Sequence, residues 1–309
     1  MISAALLVVA AASVEAQTLR AVALTFDDLP AVTTRHDSAT YATITNGILG
    51  TLARERAPAL GLVVGSLLFT EGRRDSMRVD MLRQWLRAGI ELGNHTYSHR
   101  SLNQTPVGPY LRDIARGDSV LRELLAEQGA RPRWFRHPML HTGQQLETKR
   151  QVDSVLTRLG YRIAPVTIDN NDYIFARAYD NALDRRNRDA TARVERAYLE
   201  YMDTVFGYYE RQSQSILGYE LPQTLLLHAN RLNAACLDEL FVMMRRRGYR
   251  FVTIDQAFAD PAYRRPDEFL GNAGITWLHR WALADGKRGE FFAGEPQVPA
   301  FIQQMADSR

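Results

Sequence analysis

Short runs of strand-forming residues recur along the 309-residue chain and predict seven β-strands. The predicted strands cover residues 21–26, 59–65, 90–92, 133–136, 161–168, 224–228 and 249–254.

Between these runs, apolar residues recur at the spacing of a helix, and several of the segments end at a glycine. Similar apolar faces precede Gly89, Gly129 and Gly248. The first consists of Met77, Met81, Leu82, Trp85 and Leu86. Strands that alternate with helices predict an α/β protein with a parallel sheet, either open or closed into a barrel.

One segment breaks this alternation. About 55 residues separate the strand ending near Ile168 from the strand beginning at Thr224, far more than one helical crossover needs. Residues 176–215 are rich in charged and aromatic side chains. We interpret them as a pair of long surface helices with interleaved charges, the alternative being a lid that contacts the substrate.

The chain also continues beyond the seventh strand. In this extension Trp277 and Trp281 are four residues apart, so they share one face of a helix. We expect both to pack on the barrel, although a platform for carbohydrate is an alternative.

The N-terminal residues predict export. Residues 2–13 form an apolar run too short to span a bilayer, and Val14-Glu15-Ala16 offers a cleavage site before Gln17. We predict a signal peptide over residues 1–16 and a periplasmic or extracellular protein. Because no Lys or Arg precedes the apolar run, an uncleaved anchor is the alternative.

The composition excludes several classes of protein. With 46% apolar and 24% charged residues the chain resembles a globular protein rather than a disordered, collagen-like or coiled-coil one. The net charge of +3 comes from interleaved acidic and basic residues, which argues against a nucleic-acid partner. The single cysteine, Cys236, is interpreted as a small buried apolar side chain.

Candidate chemistry lies where predicted strands end. Asp27 and Asp28 follow the first strand, and the carboxyl ends of parallel strands are where active sites form. An Asp in this place is also a common helix cap or turn residue. His95 and His99 follow the third strand at a spacing that would put both on one face of a helical turn. An aspartate with two histidines suits Zn²⁺ and leaves a coordination position for water.

Three further groups of polar residues follow later strands in order, and each is ambiguous when it is taken alone. They are Arg136-His137-Pro138-Met139, Asp169-Asn170-Asn171-Asp172-Tyr173, and the segment from Leu226 to Asn230 that contains His228.

Taken together, these motifs resemble the polysaccharide deacetylases that share the NodB homology domain, carbohydrate esterase family 4. The family motifs TFDDG, H-[ST]-x-x-H, R-x-P, D-x-x-D-W and L-x-H correspond here to TFDDLP, HTYSH, RHPM, DNNDY and LLHAN. The resemblance implies a single distorted (β/α)7 barrel, here with a helical insertion before the sixth strand and a C-terminal extension. It also implies metal-dependent removal of acetyl groups from N-acetylated, sometimes O-acetylated, sugars.

The resemblance also implies roles for individual residues. Asp28, His95 and His99 correspond to the metal ligands, with Zn²⁺ expected and Co²⁺ or a similar ion as the alternative. The implied catalytic residues are Asp27 as general base, Arg136 as the group that orients it, His228 as general acid, Asp172 as the carboxylate that tunes the acid, and the Met139 backbone N–H as oxyanion donor.

Three positions depart from the family pattern. Leu29 stands where a glycine is usual, so the backbone there needs a conformation that a Cβ tolerates. His137 replaces a proline and is expected to add a titratable group at the rim of the site. Tyr173 replaces a tryptophan and keeps an aromatic wall. Tyr173, His137 and Leu226 are the predicted substrate contacts.

We therefore expect a deacetylase domain over residues 17–263, with the insertion at about 176–215, and an extension over residues 264–309 packed on the barrel. The expected substrate is an acetylated glycan such as peptidoglycan or a chitin-like oligomer, with N-acetyl groups preferred over O-acetyl groups. Two alternatives are an amidohydrolase of a small amide or imide on the same barrel, and a catalytically impaired glycan-binding protein.

Overall fold

The computed structural model describes residues 20–308, and the predicted signal peptide lies outside them. The strands are β1 (Arg20–Leu29), β2 (Ala59–Val63), β3 (Phe69–Thr70), β4 (Arg73–Arg74), β5 (Glu91–Asn94), β6 (Trp134–Phe135), β7 (Arg162–Ile163), β8 (Gln223–His228) and β9 (Tyr249–Phe251). The helices are α1 (Ser38–Glu55), α2 (Ser76–Arg87), α3 (Val107–Ala126), α4 (Leu146–Leu159), α5 (Asp172–Asp184), α6 (Arg188–Leu217), α7 (Arg231–Arg246), α8 (Ile254–Ala257), α9 (Trp277–Ala284) and α10 (Ala300–Asp307).

Seven of the strands form one parallel sheet in the order β7-β6-β5-β2-β1-β8, with β9 beside the start of β1. Each of these strands lies in a region that the sequence pattern predicts as strand. The chain after β7 pairs with β8 through a parallel bridge between Ile168 and Leu225, so the sheet curls round on itself. The predicted α/β fold with a distorted barrel is confirmed.

The fifth predicted strand is shorter than expected. Regular pairing stops at Ile163 and resumes at Ile168, which accepts a hydrogen bond from the Leu226 N–H. Pro165 lies between them, and a proline has no N–H to donate to the neighbouring strand.

Helices cover the outer surface of the sheet and enclose a large apolar core. Trp85 of α2, for example, lies edge-on to Phe26 of β1 with ring centroids 5.5 Å apart, and both side chains are fully buried. Cys236 of α7 belongs to this core as a free buried thiol, as predicted.

The long segment before β8 forms α5 and α6, which confirms the predicted helical insertion. The apolar face of the 30-residue α6 is buried against the core through Tyr198, Met202 and Phe206, and most of its charged residues lie outside this face, with Glu210 as a buried exception. Asn187 begins the helix by accepting a hydrogen bond from the Ala190 N–H.

The C-terminal extension contributes side chains to the same core. Trp277 and Trp281 of α9 are both buried, and so are Ile302 and Ala306 of α10. The two tryptophans therefore pack inward, as expected, and do not form an exposed platform. The domain boundary at residue 263 stays a prediction. Within residues 20–308, no helix is long and apolar enough to cross a membrane.

Candidate metal and catalytic site

The first part of the site is the end of β1, where the neighbouring residues Asp27 and Asp28 differ in burial and in backbone conformation. Asp27 is buried, whereas the Asp28 side chain is partly exposed and its backbone is left-handed, with φ of 61°. The position after the pair is not left-handed, so Leu29 fits there as part of β1. Its side chain fills the space beside Gly61, where a Cβ would lie 2.2 Å from Leu29 Cδ1. Gly61 thus provides the room that the larger residue needs.

Asp28, His95 and His99 form the predicted cluster. The Asp28 Oδ1 atom lies 3.5 Å from His95 Nε2 and 3.3 Å from His99 Nε2. These donor atoms all lie within 4.8 Å of one another, which is close enough to hold one metal ion. Asp28 Oδ1 is buried and has no hydrogen-bond partner among the described residues. An acceptor oxygen facing two imidazole nitrogens needs a cation or a proton between them, so the donor set fits a divalent metal.

The two histidines meet for a different reason from the one predicted. Residues 95–99 form a loop instead of a helical turn, with left-handed φ values at Thr96 and His99. The Asn94 side chain accepts a hydrogen bond from the Thr96 N–H, and the Thr96 hydroxyl accepts one from the His99 N–H. These side-chain hydrogen bonds replace the helical ones and bring the two rings to 4.9 Å between centroids.

The state of His95 suits a metal ligand. Burial lowers its pKa to about 4, against the opposing charge of Asp27, so the ring is neutral near pH 7. Its Nδ1 lies 2.8 Å from the Arg136 carbonyl oxygen, which can only accept a hydrogen bond. The proton therefore resides on Nδ1, and the Nε2 lone pair points toward Asp28.

Asp27 is paired with a fully buried arginine. Arg136 Nη1 donates to Asp27 Oδ1 at 2.5 Å and to the Thr25 hydroxyl at 2.7 Å. Its other nitrogens reach the carbonyl oxygens of Ala164 and Pro165. Burial alone would raise the pKa of Asp27, but the Arg136 charge and then His95 outweigh it and lower the pKa. Asp27 is therefore an ionised carboxylate near neutral pH.

The next part of the site is built on β8, the neighbour of β1, where His228 is aligned with Asp27 in the register of the two strands. Its Nδ1 lies 2.6 Å from Asp172 Oδ1, and its backbone N–H donates to Asp172 Oδ2 at 2.8 Å. Asp172 is fully buried and is the first residue of α5, where the helix dipole favours a negative charge. His228 therefore has a fixed orientation with Nε2 free toward the site.

Burial alone would lower the pKa of His228, but the Asp172 carboxylate, with help from Asp28 and Asp27, raises it to about 10. At neutral pH the imidazole is protonated. A carboxylate with a lowered pKa and an imidazole with a raised one thus lie side by side at the ends of the neighbouring strands β1 and β8.

One residue that supports the site, Asn233, was not predicted from the sequence. Asn233 on α7 donates to Asp172 Oδ2 at 2.6 Å and to the His228 carbonyl oxygen at 2.8 Å, and it accepts from the Tyr198 hydroxyl. A lone asparagine inside a helix offers no signal in a single sequence. Its partners come from three different elements, so only the fold reveals its role.

The predicted substrate contacts divide into three cases. Tyr173 is 53% exposed and lies edge-on to His228, in keeping with an aromatic wall. Leu226 of β8 is 5% exposed and belongs to the apolar core. The expectation that His137 lies at the rim is wrong: its ring is 2% exposed, stacks on Tyr110 and is 2.9 Å from the Tyr110 hydroxyl. Burial lowers the pKa of His137 to about 3, so the ring is neutral.

Backbone strain concentrates around the site. Eight non-glycine residues within the described chain have positive φ, and five of them are here: Asp28, Thr96, His99, Met139 and Leu140. Left-handed backbone costs an L-residue on the order of 1 kcal/mol, so surrounding contacts must hold each of them.

A polar cavity of about 250 Å³ adjoins the site. Asp169 and Asn171 line one side, Tyr201 and Tyr209 of α6 another, and Glu295 of the C-terminal extension a third. Burial raises the pKa of Asp169 to about 6. The insertion and the extension therefore both reach the neighbourhood of the candidate site.

Fold and site together define a class: a curled parallel α/β barrel with an Asp-His-His cluster and two charge-paired groups at the carboxyl ends of its strands. Residues 15–164 match the family model described as polysaccharide deacetylase. This match confirms the resemblance to that family which the sequence motifs indicate.

Two curated relatives are peptidoglycan deacetylases by name. The peptidoglycan-N-acetylmuramic acid deacetylase PdaC of Bacillus subtilis is 24% identical over 238 residues, which are 77% of this chain and 38% of the relative. The peptidoglycan-N-acetylglucosamine deacetylase PgdA of Listeria monocytogenes is 22% identical over 247 residues, 80% of this chain and 40% of the relative. The chain thus spans about two fifths of the length of these relatives.

Solved structures share the fold. A peptidoglycan N-acetylglucosamine deacetylase in complex with an N-oxidanyl-benzamide compound aligns with a TM-score of 0.50 at 21% identity, covering 78% of this chain and 89% of that one. A mutant of a carbohydrate esterase family 4 pseudoenzyme aligns with a TM-score of 0.50 at 15% identity, covering 78% and 67%.

Proposed function

We propose that this protein is a metal-dependent hydrolase that removes acetyl groups from a glycan, N-acetyl groups in preference to O-acetyl groups. One observation carries the proposal: the metal-type cluster, the Asp27–Arg136 pair and the Asp172–His228 pair converge at one end of the barrel. Each group alone has a structural explanation, but together they supply the parts that amide hydrolysis requires.

Asp28, His95 and His99 would hold the metal, for which Zn²⁺ is our first choice and Co²⁺ or a similar ion the second. When bound, such a cation supplies Lewis acidity, which polarises the acetyl carbonyl and makes a water molecule acidic enough to act near neutral pH. The Arg136 carbonyl, bound to His95 Nδ1, orients the ligand that is most deeply buried.

Asp27 is the proposed general base. Its Oδ2 faces the cluster, 3.7 Å from His95 Nε2, while Arg136 occupies Oδ1. The free oxygen can accept a proton from an attacking water, and the arginine keeps the carboxylate ionised beforehand. Arg136 is fully enclosed, so it acts through Asp27 and does not contact the substrate.

His228 is the proposed general acid. An amine is a poor leaving group until it is protonated, and the imidazolium held by Asp172 carries the needed proton on Nε2. The Met139 N–H is the proposed oxyanion donor, and the exposed Tyr173 ring beside His228 is a proposed sugar contact.

Several features favour a glycan as the substrate. The His228 side chain is 18% exposed and that of His99 34% exposed, and Tyr173 and Met139 stand open at the rim. An accessible site with an aromatic wall suits a sugar residue within or at the end of a chain. The relatives described above are peptidoglycan deacetylases by name, so peptidoglycan and chitin-like oligomers are the first substrates to test.

An extracytoplasmic location follows from such a substrate and is part of the proposal, together with a signal peptide over residues 1–16 and a catalytic domain over residues 17–263. The cavity beside Asp169 favours one second candidate, the hydrolysis of a small amide or imide, because the insertion and extension there line a polar cavity of about 250 Å³.

The test is acetate release by purified protein from N-acetylglucosamine oligomers, peptidoglycan fragments, acetylated xylan and a panel of small amides and cyclic imides. We expect release from the glycans, loss of activity on chelation and recovery with Zn²⁺ or Co²⁺. Turnover that resists chelation, or full activity in Asp28→Asn, would refute the metal mechanism. Turnover of small amides alone would favour the second candidate.

A further inference from the structure

Residues 138–140 form a single turn whose backbone is left-handed at two successive positions. The φ angles are 56° at Met139 and 54° at Leu140, and neither residue is a glycine. Within the turn, the Leu140 N–H donates to the His137 carbonyl and the His141 N–H to the Pro138 carbonyl. Two such residues together cost on the order of 2 kcal/mol or more, so outside contacts are needed to maintain this geometry.

The C-terminal extension supplies these contacts through a buried arginine. Arg280 of α9 is 2% exposed, and its Nη2 donates to the Leu140 carbonyl oxygen at 2.7 Å. The Nη1 atom donates to Asp267 Oδ2 at 2.6 Å and to the Thr142 hydroxyl at 3.1 Å, and Nε donates to the Ile275 carbonyl. All three nitrogens are occupied, so the guanidinium is fixed in position.

Two further contacts fix the arginine itself. Its guanidinium carbon lies 4.0 Å from the centre of the Trp277 ring, and Lys149 of α4 donates to the same Asp267 oxygen at 2.6 Å. The Asp267 carboxylate therefore joins a helix of the barrel to the extension. The planar fork of an arginine can serve these partners at once, whereas a lysine ammonium in the same place cannot.

Gly274 contacts the turn from its other side. We call the contacts of Arg280 and Gly274 with residues 138–140 the clamp. A Cβ on Gly274 would lie 1.8 Å from the Met139 carbonyl oxygen and 3.0 Å from Leu140 Cβ. The backbone of the extension thus lies directly against the peptide between Met139 and Leu140, and only a glycine permits this approach. Arg280 and Gly274 together restrain the carbonyl oxygens of both left-handed residues.

We infer that Arg280 and Gly274 are positioning residues for the turn at Met139, so that the C-terminal extension sets the geometry of the catalytic centre and does more than cover the barrel. The inference rests on the proposed function, in which the Met139 N–H donates to the oxyanion. Such a donor must lie within about 0.5 Å of its productive position, and a misplacement of about 1 Å can cost about 100-fold in rate.

The test compares Arg280→Lys and Gly274→Ala with the wild-type protein in steady-state deacetylation. Because the oxyanion develops only as the carbonyl is attacked and is absent from the bound substrate, we expect kcat to fall about 10-fold to 100-fold while KM changes less than about twofold. Metal content per chain should equal that of the wild type, since neither residue touches Asp28, His95 or His99.

Two controls separate positioning from general damage to the extension. Arg265→Ala removes an ion pair with Asp285 in the same extension, and Gly286→Ala strains a glycine with φ of 80° whose Cβ would meet nothing within 4 Å. Both should lower the thermal midpoint without lowering kcat. In Arg280→Ala, added guanidinium ion should restore part of the lost kcat, an effect that a purely structural role would not produce.

Unchanged kcat in Arg280→Lys and Gly274→Ala, with an active wild type, would overturn the inference and leave the proposed function intact. An inactive wild type would instead refute the proposed function. In that case hydrogen exchange at the Leu140 amide still tests the clamp: faster exchange in Arg280→Lys supports it, and equal exchange overturns it.

Discussion

Replacing Asp172 by asparagine tests the proposed acid with little change in shape. In the wild type, the Asp172 carboxylate lies 2.6 Å from His228 Nδ1 and is the first among the influences that raise the His228 pKa from 6.5 to about 10. At about 1.4 kcal/mol for each pKa unit, that rise corresponds to roughly 5 kcal/mol in favour of the imidazolium. Asparagine keeps the size and removes the charge, so only Asp28 and Asp27 then oppose the effect of burial, and we expect the pKa of His228 to fall toward its ordinary value of 6.5 or lower.

At pH 7.5 the variant then holds mostly neutral His228 and lacks the proton for the leaving amine. We expect kcat for N-acetyl hydrolysis to fall about 100-fold to 10,000-fold, with the remaining activity confined to lower pH. Acetate release measured from pH 5 to pH 10 checks this, and NMR titration of the His228 ring follows the pKa directly.

An activated ester provides the matched control. The 4-nitrophenolate group leaves without protonation, so Asp172→Asn should retain most of its activity on 4-nitrophenyl acetate while it loses amide hydrolysis. Equal losses on ester and amide, with metal content unchanged, would contradict the role of His228 as acid. A pH profile identical to that of the wild type would contradict the coupling between Asp172 and His228.

Three further predictions concern the metal cluster, the base and the packing of β1. Asp28→Asn should bind Zn²⁺ at least about 10-fold more weakly than the wild type by calorimetry, because the cluster loses its only anionic ligand; equal affinity would argue against the site. Arg136→Met should destabilise the fold by about 3–5 kcal/mol in urea unfolding, since it leaves Asp27 charged and buried. The lowered pKa of Asp27 stabilises the wild type above its unfolded pKa near 4, so this deficit should be larger at pH 8 than at pH 4, and adding Asp27→Asn should recover part of it. Gly61→Ala should cost about 1–3 kcal/mol by clashing with Leu29, and the penalty should shrink in a Leu29→Ala background; simple additivity would refute the contact.

Much of the fold could be predicted from the residue pattern because each element carries its own signal. All seven strands of the main sheet were expected, and so were the long helices before β8 and the buried tryptophans of α9. Local signals fail where pairing depends on a neighbour. The fifth strand is interrupted at Pro165, and residues 95–99 form a loop because the Asn94 and Thr96 side chains replace helical hydrogen bonds.

In the site, too, local residue types could be predicted, whereas contacts between distant residues could not. Motif order identified the residue types at Asp28, His95 and His99, which the structure brings within 4.8 Å, and those at the Asp27–Arg136 and Asp172–His228 pairs. It could not identify Asn233, whose partners are distant in sequence, and it misplaced His137, whose ring is buried against Tyr110.

The sequence by itself therefore determined the order of the elements and the chemical groups at the strand ends, because hydrophobic period and residue type are local properties. Only the tertiary structure decided the charge state of those groups and what holds them. A pKa depends on burial and on charges brought close from other elements, as in the opposite shifts of Asp27 and His228. A strained turn depends on contacts about 140 residues away, as in the hydrogen bond from Arg280 to Leu140.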